Sequence, residues 1–273
     1  MPEPAIAAEG LTKVFAGSGS GIGRRSAETV AVSDVSFEVD AGAAFAIVGE
    51  SGSGKTTVAR CLAGLETLTS GTIEVCGERL TGRGSSRAER LRRARMIQLV
   101  FQDPYQSLDP RQQVGSALAE AISVHQPKGE ATEKAVVSLL ERVGLSAKIL
   151  DSYPRVLSGG QRQRVAIARA LAAGPEVIVF DESVSALDVS IQAQVLNLIA
   201  DLRESAGVTT IFISHDLAVV GQVSEAMIVM RRGEVVEAGP TAEILASPSH
   251  PYTQRLIASV PRVGWDPEQL LAP

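Results

Sequence analysis

Short apolar runs alternate with stretches of helical periodicity along much of this chain. The runs of strand length lie at 43–48, 71–75, 96–101, 177–180, 209–214 and 226–231. Apolar residues recur at i, i+3 and i+4 in the stretches 57–65 and 191–205, which is the spacing of an amphipathic helix. Strands that alternate with helices predict an α/β fold built on a mainly parallel sheet.

The first 40 residues have a different pattern. Two strand-like segments, 6–14 and 29–39, are separated by a glycine-rich stretch at 16–26. Its glycines do not match the GxGxxG spacing of a dinucleotide-binding loop, and no helical pattern follows them directly. We therefore predict an antiparallel β region near the N-terminus, with 16–26 as a surface hairpin loop.

The middle of the chain is predicted to be helical. From about 103 to 174 the strand-sized runs give way to helical spacing at 114–124, 133–143 and 161–172. This indicates a helical subdomain inserted into one α/β domain that spans 1–240. The remainder, 241–273, contains helical pieces at 241–246 and 252–259 and is predicted to be a short C-terminal extension.

Composition excludes several classes of protein. The 45% hydrophobic and 21% charged residues are ordinary globular usage, which argues against disorder. A net charge of −5, with few aromatic residues, argues against a nucleic-acid-binding protein. The six arginines between 83 and 95 are accordingly interpreted as a solvated helix face.

Cysteine usage and hydropathy indicate the cellular compartment of the protein. Cys61 and Cys76 have no CxxC spacing, so we predict two small buried residues rather than a disulfide scaffold or zinc site. No apolar run reaches the ~18 residues that a membrane helix needs, and the N-terminus lacks the pattern of a secretory signal. We expect a cytosolic protein whose membrane association, if any, comes through a partner.

Residues 49–56, GESGSGKT, match the GxxxxGK[ST] phosphate-binding loop and stand between an apolar strand and a helix. Glycines let the backbone N–H groups wrap a phosphate chain at the positive end of the helix. Lys55 can then reach the β- and γ-phosphates, and the Thr56 hydroxyl can ligate Mg²⁺. The predicted nucleotide-binding residues are Gly49, Glu50, Ser51, Gly52, Ser53, Gly54, Lys55, Thr56 and Thr57.

Two later strands end in polar residues. Asp181 and Glu182 follow the apolar run 177–180, and His215 follows 209–214. Because ligands bind at the carboxyl ends of parallel strands, these side chains are candidates for the same site. Asp181 suits an Mg²⁺ ligand, Glu182 could polarise a water as general base, and His215 is a further functional candidate.

A second anion-binding motif precedes the helical stretch 161–172. In the segment Leu157-Ser158-Gly159-Gly160-Gln161, small residues stand directly before a helix, whose first N–H groups are free to bind an anion. One nucleotide does not need two phosphate cradles. We therefore predict that Ser158, Gly159, Gly160 and Gln161 serve a nucleotide held by another chain.

Together these motifs resemble, in order and spacing, the ATP-binding subunit of ABC transporters. The resemblance implies ATP and Mg²⁺ as ligands, with Lys55, Glu182 and His215 as catalytic residues. It identifies Gln102, after the strand 96–101, as the Q-loop glutamine, a catalytic residue and Mg²⁺ contact. It also identifies 185–188 as the D-loop, His215 as the switch histidine and Phe15 as the residue that stacks on adenine.

Three segments resemble the oligopeptide, dipeptide and nickel importer branch of that family: 101–111, 181–185 and the C-terminal 247–253. This implies two transmembrane permease subunits and a second ATP-binding subunit as direct partners, and a solute-binding protein outside the membrane as an indirect one. The branch favours a related second subunit over an identical copy. The expected location is peripheral, at the cytoplasmic face of the cell membrane.

Two alternatives are weighed against a peptide importer. The same ATPase role in nickel-complex import stays open, because the solute is selected by other subunits. A soluble ABC ATPase of DNA repair or translation is disfavoured, since the chain has no long heptad run and only one phosphate-binding loop.

Overall fold

The computed structural model describes residues 3–16, 28–80, 86–103, 107–125, 133–185 and 187–259. Its strands are β1 Pro4–Phe15, β2 Thr29–Asp40, β3 Ala44–Val48, β4 Ser70–Val75, β5 Glu78–Arg79, β6 Ile97–Val100, β7 Val177–Asp181, β8 Thr209–Ser214, β9 Ala226–Arg231 and β10 Glu234–Pro240. Its α-helices are α1 Lys55–Leu62, α2 Arg87–Met96, α3 Val114–His125, α4 Glu133–Arg142, α5 Gly159–Leu171, α6 Val189–Ala206, α7 Leu217–Val223, α8 Thr241–Ala246 and α9 Pro251–Ala258.

The central sheet has six strands in the order β10-β9-β3-β8-β7-β6. All of its pairings are parallel except that of the edge strand β10, which runs antiparallel to β9. The predicted mainly parallel sheet is confirmed. Strand β8 lies between β3 and β7, so the carboxyl ends of the strands that precede Gly49, Glu182 and His215 are neighbours.

The core lies on both faces of this sheet because successive side chains of a strand point to opposite faces. In β3, Ala46 and Val48 pack with the helices α3–α7 in one apolar cluster. Phe45 and Ile47 pack in a second cluster with α1 and the N-terminal strands. Every residue of β3 is buried, which explains why its sequence is a continuous apolar run.

The N-terminal strands form a separate antiparallel sheet in the order β2-β1-β4-β5. Strand β1 pairs with β2 from Pro4, opposite Asp40, to Phe15, opposite Thr29. This confirms the predicted antiparallel region. Residues 17–26 of the predicted hairpin loop lie outside the described residues.

Helices α3, α4 and α5 lie between β6 and β7 in the chain and begin and end within a few residues of the predicted stretches. The arginine-rich segment forms α2, in which only Met96 is buried. Its interpretation as a solvated helix face is confirmed for the exposed Arg87, Arg90, Arg92 and Arg95, but it is wrong for Arg93, which is half-buried. Residue 83 lies outside the described residues. The boundaries of the helical subdomain and of the C-terminal extension stay predictions. Within the described residues, no helix combines the length and the apolar character needed to cross a bilayer.

The two cysteines differ in environment. Cys61 is buried, as predicted, and burial raises the pKa of its thiol to about 11. Cys76 is only half-buried, so the prediction that both are buried is wrong for this residue. It occupies a tight turn between β4 and β5 with a φ of +50°, which brings its side chain to the rim of the core. Partial burial and the nearby Glu176 raise its pKa to about 12.

Candidate nucleotide-binding site

The loop between β3 and α1 has the backbone that the phosphate-binding motif requires. Gly54, the N-cap of α1, has a φ of +105°, and a Cβ there would lie 2.4 Å from the carbonyl oxygen of Ala31. A Cβ on Gly49 would lie 2.2 Å from the carbonyl oxygen of Met230. Only glycine fits at these two positions, so the motif reflects close backbone approach as well as phosphate binding.

Lys55 is folded back over this loop. Its Nζ donates hydrogen bonds of 2.7 Å to the carbonyl oxygens of Gly49 and Glu50, and its side chain is buried. Burial lowers the pKa of Lys55, and nearby carboxylates, of which Glu182 has the largest effect, oppose that shift. The ammonium group is thus held over the loop by two neutral carbonyl acceptors, which a negatively charged phosphate could replace.

Strand β7 brings an acid to the start of α1. The Thr56 hydroxyl donates a 3.1 Å hydrogen bond to Asp181 Oδ1 across 125 residues of sequence. Burial raises the pKa of Asp181, and the bond from Thr56 acts in the opposite direction. A hydroxyl and a carboxylate oxygen side by side suit Mg²⁺, which takes few protein ligands at nucleotide sites. The donor set therefore fits the predicted metal. Thr57 follows in the first turn of α1 and is half-buried.

The carboxylate of Glu182 connects two other elements. Gln102 Nε2 donates a 3.2 Å hydrogen bond to Glu182 Oε2, and His215 Nδ1 lies 3.4 Å from Glu182 Oε1. The three residues follow β6, β7 and β8, which are adjacent in the sheet. The structure therefore brings together Gln102, Glu182 and His215, as the sequence predicts. That their side chains contact one another was not predicted, because it depends on rotamers that a motif does not specify.

Glu182 also has an unusual backbone. Its φ is +46°, in the left-handed region that non-glycine residues rarely adopt. The turn is held by the Glu182 N–H, which donates to Ile213 O at 2.9 Å, and by Ser185 Oγ, which donates to Glu182 O at 2.8 Å. A strained conformation that neighbours hold in place is typical of functional positions. It directs the chain away from the sheet immediately after the acid.

The segment 157–161, here called the signature segment, forms the N-terminus of α5. Ser158 is the N-cap: its Oγ accepts from Gln161 N–H at 3.2 Å, and its own N–H donates to Gln161 Oε1 at 2.9 Å. This capping box leaves the N–H groups of Gly159 and Gly160 without intrahelical acceptors. Ser158 itself is exposed. The predicted anion-binding helix start is thus compatible with the structure.

The signature segment is not bonded to the phosphate-binding loop. Among the hydrogen bonds and ion pairs of the described residues, none joins 158–161 to 49–57. Its close neighbours are on the D-loop and α6: a Cβ on Gly160 would lie 2.4 Å from Ile191 Cγ2. D-loop residue 186, like 104–106 after Gln102, lies outside the described residues.

Phe15 ends β1 and is 38% exposed as a residue. Lys13 Nζ lies 4.8 Å from the ring centroid, over one face, and is itself bonded to Glu66 at 2.9 Å. Lys13 thus lies over one face of the Phe15 ring. Stacking of adenine on the opposite face stays a prediction.

Two residues beside the loop were not singled out from the sequence. Tyr252 in α9 accepts a 3.0 Å hydrogen bond from the Glu50 N–H, and the Arg231 guanidinium lies 5.0 Å from its ring centroid. In the sequence, Tyr252 belongs to the C-terminal segment 247–253 of the branch resemblance. No local pattern could have placed it here, because 202 residues separate it from Glu50.

Comparison with known families agrees with this geometry. A family model described as ABC transporter matches residues 32–185, which is more than half of the chain. The chain belongs to the ABC transporter family. A second model, the C-terminal region of oligopeptide/dipeptide transporters, matches 236–271 of this ABC cassette. The resemblance stated from the motifs is confirmed, and with it the binding of ATP.

Curated relatives include ATP-binding proteins of glutathione import and of di/tripeptide transport. The cassette is 45% identical over 260 residues to the glutathione import ATP-binding protein GsiA of Salmonella paratyphi A, covering 95% of the chain but 41% of that relative. It is 43% identical to the di/tripeptide transport ATP-binding protein DppF of Pseudomonas aeruginosa, covering 97% of the chain and 81% of DppF. The cassette thus spans less than half of GsiA.

Solved structures confirm the predicted fold class. The ATP-binding cassette MJ0796, in a dimeric post-hydrolysis state bound to ADP and Pi, is 28% identical with a TM-score of 0.72, covering 86% of the chain and 98% of MJ0796. CbiO1 of Clostridium perfringens, part of the ABC transporter complex cbiONQ, is 25% identical with a TM-score of 0.74, covering 96% and 97%.

Proposed function

We propose that this cassette is the ATP-hydrolysing subunit of an ABC importer of peptides. The observation that carries the proposal is the convergence of Lys55, Thr56 and Asp181 with the Glu182 carboxylate, which Gln102 and His215 hold from neighbouring strands. A phosphate cradle, a metal-binding oxygen pair and an oriented general base are the parts that phosphoryl transfer to water needs.

In the proposed reaction, Lys55 exchanges its carbonyl partners for the β- and γ-phosphates and balances their charge. Thr56 and Asp181 would hold Mg²⁺, with Gln102 as the further contact that the family resemblance implies, and the ion would supply Lewis-acid stabilisation of the transferring phosphoryl group. Glu182 accepts the proton of the attacking water as its oxygen bonds to the γ-phosphorus. The bond between that phosphorus and the β–γ bridging oxygen breaks, and ADP leaves with the bridging oxygen. His215, 3.4 Å from Glu182, orients that carboxylate and the γ-phosphate.

A second ATP-binding subunit would complete the site. The exposed Ser158 and the free N–H groups of Gly159 and Gly160 point to a γ-phosphate outside this chain, since no bond among the described residues links them to the loop at 49–57. We infer a head-to-tail arrangement of the two subunits, and the dimeric state of MJ0796 supports the pairing of two cassettes. The second subunit is a related chain or an identical copy, with the branch resemblance favouring a related chain.

Closure of the two subunits would act on two transmembrane permeases at the cytoplasmic face of the membrane. We place the contact beside Gln102–Arg111, where the inserted helices 103–174 leave the core of domain 1–240. A cleft of about 500 Å³, lined in part by Arg90, Gln98 and Phe101, adjoins this segment. Reopening after hydrolysis would reset the permeases for the next solute.

Peptides are the proposed solute because the 236–271 match and DppF both belong to peptide transport. GsiA supports a glutathione-like peptide as a variant, and a nickel complex is the alternative that the branch resemblance leaves. An extracytoplasmic solute-binding protein would deliver the solute. A strain from which this ATP-binding subunit is deleted tests the solute. Loss of growth on peptides supports the proposal, and loss of growth only under limiting nickel supports the alternative.

Replacing Lys55 with alanine should weaken ATP binding roughly ten- to hundredfold, because a charged hydrogen bond contributes about 1.5–3 kcal/mol. Titration of the purified chain with ATP measures the dissociation constant. Lys134→Ala, an exposed lysine on α4, is the matched control and should bind normally. Equal affinity in Lys55→Ala and the control would contradict the assignment of the loop.

A further inference from the structure

The C-terminal helix α9 is bonded to the phosphate-binding loop. The Tyr252 hydroxyl accepts a 3.0 Å hydrogen bond from the N–H of Glu50. The carbonyl oxygen of the same Glu50 accepts a 2.7 Å hydrogen bond from Lys55 Nζ. One residue of the loop thus connects the tyrosine to the lysine that faces the nucleotide, through its own N–H and C=O groups.

The tyrosine is itself firmly placed. Its side chain is 3% exposed, and the guanidinium of Arg231, at the end of β9, lies 5.0 Å from the ring centroid. Its backbone N–H donates to His250 Nδ1 at 3.1 Å, which caps the first turn of α9. The ring therefore has little freedom, and its hydroxyl is a fixed acceptor for the loop.

The segment before α9 is attached to β10. The carboxylate of Glu237 accepts from the N–H and hydroxyl of Ser249 at 2.7 and 2.8 Å, and from the N–H of His250 at 3.2 Å. Three donors on one carboxylate fix the entry of the helix. We call the set Glu237, Ser249, His250 and Tyr252 the C-terminal brace. It connects the edge strand of the sheet to the nucleotide loop.

We propose that Tyr252 is a positioning residue for the phosphate-binding loop, and that the C-terminal brace thereby sets the affinity of the cassette for ATP. The inference rests on the proposed ATPase function and adds to it a role for a segment outside the nucleotide motifs. Without the hydroxyl, the N–H of the Gly49–Glu50 peptide lacks its acceptor. The carbonyl oxygen of that same peptide, on Gly49, accepts the 2.7 Å hydrogen bond from Lys55 Nζ. The peptide can then rotate, so the start of the loop and Lys55 are held less precisely.

The test replaces Tyr252 with phenylalanine, which keeps the ring against Arg231 and removes only the hydroxyl. Tyr153→Phe is the matched control, because Tyr153 is a half-buried tyrosine in the helical region with its ring against Arg155. ATP affinity, the KM and kcat of ATP hydrolysis in the assembled complex, and the melting temperature without nucleotide are measured for both variants and the wild type.

We expect the dissociation constant and KM of Tyr252→Phe to rise roughly three- to tenfold, a change of about 1 kcal/mol, with kcat within about twofold of wild type. The melting temperature should fall by no more than about 4 °C below that of the control, which is the cost of one hydrogen bond. Unchanged affinity, or a loss of affinity that appears equally in Tyr153→Phe, would overturn the inference. A wild-type chain that binds no ATP would instead refute the proposed function.

A second variant changes the C-terminal brace at a residue that does not contact the nucleotide loop. It keeps the inference testable if Tyr252→Phe folds poorly. Glu237→Gln weakens the attachment of Ser249 and His250, and should raise the ATP dissociation constant in the same direction by a smaller factor. Glu234→Gln, an exposed position on the same strand, is its control. Normal affinity in Glu237→Gln together with normal affinity in Tyr252→Phe would show that the brace is only structural.

Discussion

Glu182→Gln is expected to bind ATP as tightly as the wild type and to lose at least about 99% of its turnover. The amide has nearly the size of the carboxylate but cannot accept the proton of the attacking water, and general-base catalysis contributes roughly 10²- to 10⁴-fold. Binding should survive because Lys55, Thr56 and Asp181, which hold the phosphates and the metal in the proposed reaction, are untouched.

The measurement pairs an ATP titration with a steady-state hydrolysis assay. Glu204→Gln, an exposed position on α6, repeats the same chemical change away from the site and should behave as wild type. If the Glu182→Gln chain bound no ATP, or hydrolysed it within about tenfold of wild type, Glu182 would not be the general base.

Ser158→Arg is expected to leave the ATP affinity of the isolated chain unchanged within about twofold and to abolish hydrolysis and transport in the assembled complex. Ser158 is exposed and has no bond to this chain's own loop at 49–57 among the described residues. A bulky side chain there would block the approach of another chain's nucleotide to the N–H groups of Gly159 and Gly160.

Loss of the N-cap is a separate effect that needs its own control. Removing the hydroxyl that accepts from Gln161 N–H should cost about 1 kcal/mol of stability in any variant. Ser158→Ala shares that loss but adds no bulk, so it should retain much more assembled activity than Ser158→Arg. A large loss of ATP affinity in the isolated Ser158→Arg chain would mean that the signature segment serves its own nucleotide.

The parts of the site that could be predicted are those encoded by local pattern. The loop 49–56 was recognisable because its glycines, lysine and threonine stand between a buried strand and a helix. Asp181, Glu182 and His215 were placed together by one topological rule, that parallel strands end at the same sheet edge. Their arrangement on β7 and β8 agrees with it.

Other features depend on tertiary packing and could not be predicted. Hydrogen bonds with Ile213 and Ser185 hold the left-handed backbone of Glu182, and no residue type in the segment predicts that conformation. The sequence pattern does not predict strand β10, because its residues are mostly half-buried at a sheet edge and apolar and polar residues alternate only weakly along it. The contact between Tyr252 and Glu50 joins residues 202 positions apart.

The central claim is that two cassettes share each catalytic site. The dependence of the ATP hydrolysis rate on chain concentration tests this claim most directly. The rate per chain is measured in a dilution series of the chain with its second cassette, in the absence of permeases. If the signature segment of one subunit completes the site of the other, the rate per chain should fall as the subunits dissociate on dilution. A rate per chain that stays constant and high down to dilute conditions would show that one cassette is a complete enzyme, and would contradict the account.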